Sequence, residues 1–263
     1  ILILSSFNTI SANTLTDNHD GVELYKSSFN DVSVNTIINS RFGIGTSRSF
    51  NDTFSENNIL NSQSGIYIYD CSYDTISANS LINNAEHGIS LVVSSYCSFS
   101  GNTITNNALH GISLSNCSYC PVFDNTIISS AQTGAHAYNS FQISYTKNTL
   151  INNNNGLGVY GSSHCTFTEN IIRNSGCRGI SIGNSSLCVV SKNTAIASAN
   201  QGIQMFSVSD VTVTNNTLIS NQIGIGLYKT TQTNVYENTI TDGKVGFSVS
   251  LSDNNKLYHN AIV

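Results

Sequence analysis

The chain has 263 residues, of which 10% are charged, against about 25% in an average soluble domain. Its formal net charge of −5 excludes a basic nucleic-acid-binding protein. No apolar run approaches the ~20 residues of a membrane span, and 37 Asn with 41 Ser exclude a coiled coil. The Ile, Val, Leu, Phe and Tyr residues are spread too evenly for a disordered chain.

One Asn recurs every 22 or 23 residues and is usually followed by Thr and then Ile or Leu. Its twelve positions are Asn13, Asn35, Asn57, Asn79, Asn102, Asn125, Asn148, Asn170, Asn193, Asn216, Asn238 and Asn260. A Gly recurs in step, from Gly21 to Gly246, and each Gly lies 14 residues before the next Asn. All length variation therefore falls between Asn and Gly, where a turn accepts one extra residue.

The apolar residues within each unit follow the pattern of short strands. Positions one and three after Gly are apolar, as in Ile66 and Ile68, with the half-polar Tyr67 between them. Further apolar positions come eleven after Gly and two after Asn, such as Phe54 and Ile59. Leucine-rich, helical and calcium-binding nonapeptide repeats fit this pattern less well. The sequence predicts an all-β parallel β-helix, a rod ~55 Å long, with about 11–12 coils in one domain over residues 1–263.

The recurrent Asn and Gly are predicted to be structural. Stacked coils place equivalent residues ~4.8 Å apart, so the Asn amides are expected to form a hydrogen-bonded ladder. The Gly is expected to supply either a positive φ or a close backbone approach.

The unit Asn-Thr-Ile … Gly-Ile-x-Leu-x-x-Ser resembles the right-handed parallel β-helix repeats of the NosD-like and carbohydrate-binding/sugar-hydrolase (CASH) families. The resemblance extends from Ile1 to Val263, and such repeats are common in surface proteins of archaea, methanogens among them. These families include lyases, epimerases, periplasmic accessory proteins and surface-layer components. The resemblance therefore implies a right-handed solenoid specifically and a function only broadly.

Two repeat positions carry aromatic residues that are expected to face outward. Tyr73, Tyr96 and Tyr119 lie eight after Gly on three successive coils, and Tyr138 with Tyr160 lie four after Gly on two. Such rows stack along the helix, pack against another subunit or contact sugar rings, and these three interpretations remain open.

Few residues suit a metal site. Asp52 and Asp74 share the position nine after Gly on adjacent coils and are weak candidates for a metal site or for turn caps. His87 and His110 also stack, whereas His136 is expected to lie too far away to be a third ligand. We predict no metal and no other cofactor.

Seven cysteines cannot all pair within one chain. Cys97 with Cys120, and Cys165 with Cys188, occupy one repeat position on adjacent coils, so each pair forms either a disulfide or a stack of buried thiols. Cys177 lies at an otherwise polar position and is the candidate for an intermolecular cross-link.

Charged residues give no sign of a catalytic centre. The position before each Asn alternates in sign through Asp124, Lys147, Glu169 and Lys192, and this predicts a surface salt-bridge ladder. No acid/base pair and no long loop insertion that could form a cleft is evident, so we predict no catalytic residues and consider an enzyme the weaker interpretation.

Both ends fall in the middle of a coil and lack a polar cap, so we expect them to be uncapped. Together these features predict an extracellular structural subunit that assembles with copies of itself, end to end or laterally, into a sheath, surface layer or fibre. The alternative is a carbohydrate-binding or polysaccharide-cleaving β-helix with a polysaccharide partner. A NosD-like periplasmic metal accessory protein is the third possibility.

Overall fold

The computed structural model describes residues 1–263 and consists of short strands in three parallel sheets of twelve strands each. The first sheet contains β1 (Leu2–Ile3), β4 (Asp20–Tyr25), β7 (Phe42–Ser47), β10 (Ser64–Tyr69), β13 (Ile89–Val92), β16 (Ile112–Ser115), β19 (Thr133–Tyr138), β22 (Asn155–Tyr160), β25 (Arg178–Gly183), β28 (Gln201–Phe206), β31 (Ile223–Tyr228) and β34 (Val245–Ser250).

The second and third sheets are built from shorter strands. The second contains β2 (Thr9–Ser11), β5 (Asp31–Ser33), β8 (Thr53–Ser55), β11 (Thr75–Ser77), β14 (Ser98–Ser100), β17 (Pro121–Phe123), β20 (Ser144–Thr146), β23 (Thr166–Thr168), β26 (Val189–Ser191), β29 (Thr212–Thr214), β32 (Asn234–Tyr236) and β35 (Lys256–Tyr258). The third contains β3 (Thr14–Thr16), β6 (Thr36–Ile38), β9 (Asn58–Leu60), β12 (Ser80–Ile82), β15 (Thr103–Thr105), β18 (Thr126–Ile128), β21 (Thr149–Ile151), β24 (Ile171–Arg173), β27 (Thr194–Ile196), β30 (Thr217–Ile219), β33 (Thr239–Thr241) and β36 (Ala261–Ile262).

Every third strand pairs in parallel with its equivalent on the next coil, which confirms the predicted solenoid. In β10 and β13, Ile66 lies opposite Ile89 and Ile68 opposite Leu91, so positions one and three after Gly stack in register. These side chains point inward and are fully buried. The second sheet contributes the largest core side chains, such as Phe99 and Tyr145, eleven after Gly. Each buried aliphatic or Phe side chain stabilises the fold by ~1.5–3 kcal/mol.

The coil turns at corners where one residue adopts a left-handed backbone conformation. The residue before each ladder Asn has positive φ whatever its identity, as in Val34 (58°) and Glu56 (55°). The residue eight after Gly behaves the same way, as in Tyr96 (58°). Bulky residues rarely adopt the left-handed region by local preference. The stacking of equivalent corners on successive coils therefore imposes this conformation.

The repeat Gly is required by close packing. A Cβ on Gly111 would lie 2.4 Å from Ile127 Cγ2 and 2.5 Å from the carbonyl oxygen of Gly134 on the next coil. The predicted close approach is therefore confirmed. The alternative expectation of positive φ is wrong, because only Gly101 and Gly161 have positive φ and neither occupies the repeat position.

The predicted asparagine ladder runs the length of the rod. Each Asn from Asn13 to Asn238 donates from Nδ2 to Oδ1 of the next Asn at 2.9 to 3.0 Å. The backbone N–H of each donates to the same oxygen, at 3.0 Å for Asn102 to Asn125. A second polar column, six after Gly, links coils through serine hydroxyls, such as Ser140 N–H to Ser162 Oγ at 3.0 Å.

Candidate functional site

The outer face of the first sheet is shaped by residues two and four after each Gly. Glu23, Gly45 and Tyr67 follow one another at the first of these positions on β4, β7 and β10. Because Gly45 has no side chain, the face is indented between Glu23 and Tyr67. The indentation is a groove of about 310 Å³ lined by Asp20, Glu23, Leu24, Arg41, Phe42, Gly45, Thr46, Ser47, Tyr67 and Tyr69. We call it the β7 groove.

A pair of stacked aromatic rings forms one wall of the β7 groove. Phe42 precedes the repeat Gly of its coil, and its ring lies over Gly45, with Cδ2 3.4 Å from where a Cβ would stand. The Phe42 and Tyr67 rings are 4.6 Å apart at their centroids and 8° from parallel. Burial raises the pKa of the Tyr67 hydroxyl, so it remains a neutral donor at neutral pH. The faces of the Phe42 ring are covered by Tyr67 and by the Arg41 guanidinium, so the wall presents ring edges with the Tyr67 hydroxyl at its rim.

Charged groups lie directly beside this ring pair in the β7 groove. Arg41 donates from Nε and Nη2 to Asp20 Oδ1 and Oδ2, both at 3.1 Å, in a bidentate pair. Its guanidinium also lies 4.4 Å from the Phe42 ring centroid. The Asp20 side chain is only 7% exposed, and His19 Nδ1 lies 3.2 Å from its Oδ2. Glu23 is half-buried and forms neither an ion pair nor a side-chain hydrogen bond.

A second depression lies farther along the same face, around Gly158 on β22. It has a volume of about 150 Å³ and is lined by Thr133, His136, Asn155, Gly158, Val159, Tyr160, Ser181 and Phe206. Tyr160 stacks on Tyr138 at 5.8 Å, and both rings are exposed as predicted. Five strand spacings separate Gly45 from Gly158, or about 24 Å along the rod.

The rings of the three central histidines stack in one row, and His136 is closer to His110 than its position in the repeat suggests. The ring centroids are 5.4 Å apart between His87 and His110 and 5.1 Å between His110 and His136. His136 lies farther along its strand, but its ring extends back along the face toward the preceding coil. Burial lowers the pKa of all three imidazoles, and that of His110 falls to about 4, so the row is neutral at neutral pH.

The corner eight after Gly carries a longer row of aromatic rings. Tyr73, Tyr96 and Tyr119 are 55%, 45% and 41% exposed, and their rings stack in parallel at 5.0 and 4.8 Å. Phe141 and His164 continue the row toward the carboxyl end. We call this feature the aromatic corner. The predicted outward orientation is confirmed, and stacking along the helix is one of its roles.

Asp52 and Asp74 are in the core and not at the surface. Both are 1% exposed, and each accepts a backbone N–H from the preceding coil, Asn30 N to Asp52 Oδ1 at 2.8 Å and Asp52 N to Asp74 Oδ1 at 2.9 Å. Oδ2 of each has no hydrogen-bond partner. Burial raises the pKa of Asp52 to about 6 and that of Asp74 to about 8. They extend a column that begins with the amides of Asn8 and Asn30.

The cysteines are all free thiols, and six of the seven are buried. Neither the Cys97–Cys120 nor the Cys165–Cys188 disulfide is confirmed, and the alternative of stacked core thiols describes the four residues. Burial raises the pKa of Cys120 to about 12, which keeps it protonated and unreactive.

Cys177 is half-buried and is the one cysteine within reach of solvent, so its role as a cross-link remains a prediction. The predicted salt-bridge ladder of Asp124, Lys147, Glu169 and Lys192 is wrong, because the ion pairs of the molecule lie elsewhere. All four residues are exposed in positive-φ corners, where long side chains remain solvated.

Comparison with known families agrees with this architecture. The family described as periplasmic copper-binding protein (NosD) matches residues 101–263, and the family described as right-handed β-helix region matches residues 1–153. The chain belongs to the NosD-type right-handed β-helix family. The resemblance expected from the repeat is confirmed. No curated protein sequence matches this β-helix protein significantly. It contains no helix long and apolar enough to cross a membrane.

Solved structures similar to this β-helix protein share its fold at low sequence identity. The mannuronan C-5 epimerase AlgE6 A-module of Azotobacter vinelandii has a TM-score of 0.72 at 11% identity, covering 97% of this chain and 90% of that one. The surface adhesin PfbA of Streptococcus pneumoniae has a TM-score of 0.68 at 12% identity, covering 97% and 82%. An alginate lyase from Paenibacillus has a TM-score of 0.60 at 11% identity, covering 97% and 99%.

The copper named in the NosD family description does not fit the residues of this chain. No three His, Cys, Asp or Glu side chains lie together in a way that could hold a metal ion. His87 and His110 each accept a backbone N–H at Nδ1, from His110 and Thr133, and in the neutral ring the other nitrogen carries the proton. Neither ring therefore has a free lone pair, and the single Met205 is fully buried.

Proposed function

We propose that this β-helix protein binds a polysaccharide outside the cytoplasmic membrane, through the outer face of the first sheet. The observation that carries the proposal is the β7 groove, where the parallel Phe42 and Tyr67 rings lie beside charged and hydroxyl groups in an open depression. Sugar rings have apolar faces and hydroxyl edges, so they match an aromatic wall with polar groups beside it.

The second depression supports a chain-like ligand over a single sugar. Both depressions open on the same face, and the positions between them carry small side chains such as Ser90 and Ser113. A polymer lying along the rod would contact both, and two weak contacts on one chain reinforce each other. Similar solved structures include enzymes named for alginate and mannuronan and a surface adhesin, and this agrees with the proposal.

A test compares binding by wild type with Phe42→Ala and Tyr67→Ala, using calorimetric titration with oligosaccharides of defined length. Loss of one stacked ring is expected to weaken binding ~3- to 10-fold, since such contacts contribute about 0.5–1.5 kcal/mol. Tyr228→Ala is the matched control, because Tyr228 occupies the same repeat position as Tyr69 and is 43% exposed, far from the groove. Equal affinities in all four proteins would place binding elsewhere.

A second candidate function, a structural subunit that assembles with copies of itself, is favoured by the aromatic corner. Tyr73, Tyr96 and Tyr119 form a continuous exposed apolar strip, the kind of surface that packs against another molecule. Sedimentation of wild type against Tyr96→Ser tests it. Assembly that depends on Tyr96 supports the structural role, and a monomer at all concentrations contradicts it.

A further inference from the structure

The β7 groove has a charge arrangement that bears on which sugars it takes. Arg41 is the one cation among its lining residues, and its fork is already occupied by both oxygens of Asp20. Because Asp20 is almost fully buried, breaking the pair would leave a buried carboxylate without its partner, which is costly. The positive charge of Arg41 is therefore already neutralised by Asp20.

Glu23 is the one lining charge with no counter-ion. It lies one strand spacing from Gly45, over which the Phe42 ring packs, and Tyr67 lies one strand spacing beyond Gly45. Lys26 and Arg48 lie nearby but outside the lining. The Lys26 ammonium lies over the Tyr25 ring at 5.2 Å, and Arg48 donates to the Tyr25 hydroxyl. The lining itself thus carries one uncompensated negative charge.

We propose, on the basis of the proposed function, that the β7 groove recognises saccharides bearing a positively charged amino group and disfavours uronates. An ammonium group beside Glu23 gains an ion pair. A uronate carboxylate at the same place meets Glu23, and the lining holds no unpaired cation to offset the repulsion. The ligand class therefore differs from the alginate named for several proteins of the same fold.

The test uses the full chain and three oligosaccharides of equal length: chitosan, cellulose and alginate fragments. Chitosan fragments are expected to bind most tightly and alginate fragments least. Glu23→Gln is expected to weaken chitosan binding ~3- to 5-fold, the size of an exposed ion pair, and to reduce its salt dependence. Glu56→Gln is the control, because it changes net charge equally at an exposed corner outside the groove.

The outcomes separate this inference from the proposed function. If wild type binds none of the three fragments, the proposed function fails and the inference fails with it. If alginate fragments bind at least as tightly as chitosan fragments and Phe42→Ala still weakens them, the saccharide-binding role stands and the selectivity is overturned. Equal chitosan affinity in the Glu23→Gln and Glu56→Gln proteins, with unchanged melting temperatures, also overturns the selectivity.

Discussion

Two columns of inward-facing residues run along this rod, and their buried polar side chains form hydrogen bonds in different ways. The column of repeat Asn residues holds the same amide on twelve successive coils. The column nine after Gly begins with Asn8 and Asn30, continues through Asp52 and Asp74 and then changes to thiols and aliphatic groups. An inward-facing position therefore does not by itself require an amide. The two columns differ in how each side chain forms hydrogen bonds with the equivalent residue on the next coil.

An amide stacks on copies of itself because it has a donor and an acceptor. Asn125 accepts at Oδ1 from the N–H and Nδ2 of Asn102, and its own Nδ2 lies 3.0 Å from Asn148 Oδ1. An ionised carboxylate has only acceptors, so the Oδ2 atoms of Asp52 and Asp74 are left without partners. The comparison teaches that self-complementary hydrogen bonding, more than burial, makes the ladder uniform.

The largest loss of stability is expected when a carboxyl group, as found in the column nine after Gly, replaces an amide of the repeat Asn column. In Asn125→Asp, a carboxylate oxygen would replace Nδ2 beside the carbonyl oxygens of Phe99 and Phe123 and Oδ1 of Asn148. We expect a loss of about 3–5 kcal/mol in the free energy of unfolding at pH 8, as for other uncompensated buried charges. Denaturant unfolding measures it, and the loss should shrink at pH 5 as the carboxyl group is protonated.

Asn125→Ala is the control for this substitution. It leaves neighbouring donors and acceptors unpaired without adding a charge, so it should cost about 1–3 kcal/mol at either pH. If the alanine variant is as stable as wild type, the ladder contributes nothing. If the two variants are equally destabilised at pH 8, the buried negative charge adds no cost of its own, and the proposed difference between amide and carboxylate is contradicted.

Sequence alone predicted the coil, the three strands and the ladder, because each rests on one residue type at a fixed spacing. Asn125 and Gly111 are recognisable from their positions in the repeat, since every coil imposes the same requirement on them. The close approach of the repeat Gly followed from the same regularity. For the position nine after Gly, the sequence left buried thiols, disulfides, turn caps and a metal site open, because a mixture of Asn, Asp and Cys fits either an inward or an outward orientation.

The site was harder to predict, because it depends on contacts between unlike positions on neighbouring coils. The β7 groove exists because Gly45 lacks a side chain and Phe42 bends over it to meet Tyr67. Phe42 lies one residue before the repeat Gly, at a position with no aromatic pattern. His136 likewise lies closer to His110 than its position in the repeat suggests, since register fixes Cα positions but not the reach of a ring.

The two buried carboxyl groups in the column nine after Gly also predict an unusual dependence of stability on pH. Burial raises the pKa of Asp52 to about 6 and that of Asp74 to about 8, from the usual 3.8. Between about pH 4 and pH 8 the folded state therefore binds more protons than the unfolded state. The stabilisation linked to these two protons is fully present below pH 4. It is lost as pH rises through 6 and 8, where the free energy of unfolding falls by up to ~1.4 kcal/mol per pH unit for each proton.

Asp74→Asn should remove the larger part of this dependence, with an effect opposite in sign to that of Asn125→Asp. The new Oδ1 would still accept the N–H of Asp52. Nδ2 would have a carbonyl in reach, since Asn255 at the same repeat position donates to Thr230 O at 3.0 Å. We expect the variant to gain up to ~5 kcal/mol at pH 8 and almost nothing at pH 4, measured by thermal unfolding across that range. Asp124→Asn, at an exposed corner, makes the same charge change and should leave the pH profile as in wild type. A gain of equal size at both pH values would mean that packing, and not the buried proton, distinguishes the two columns.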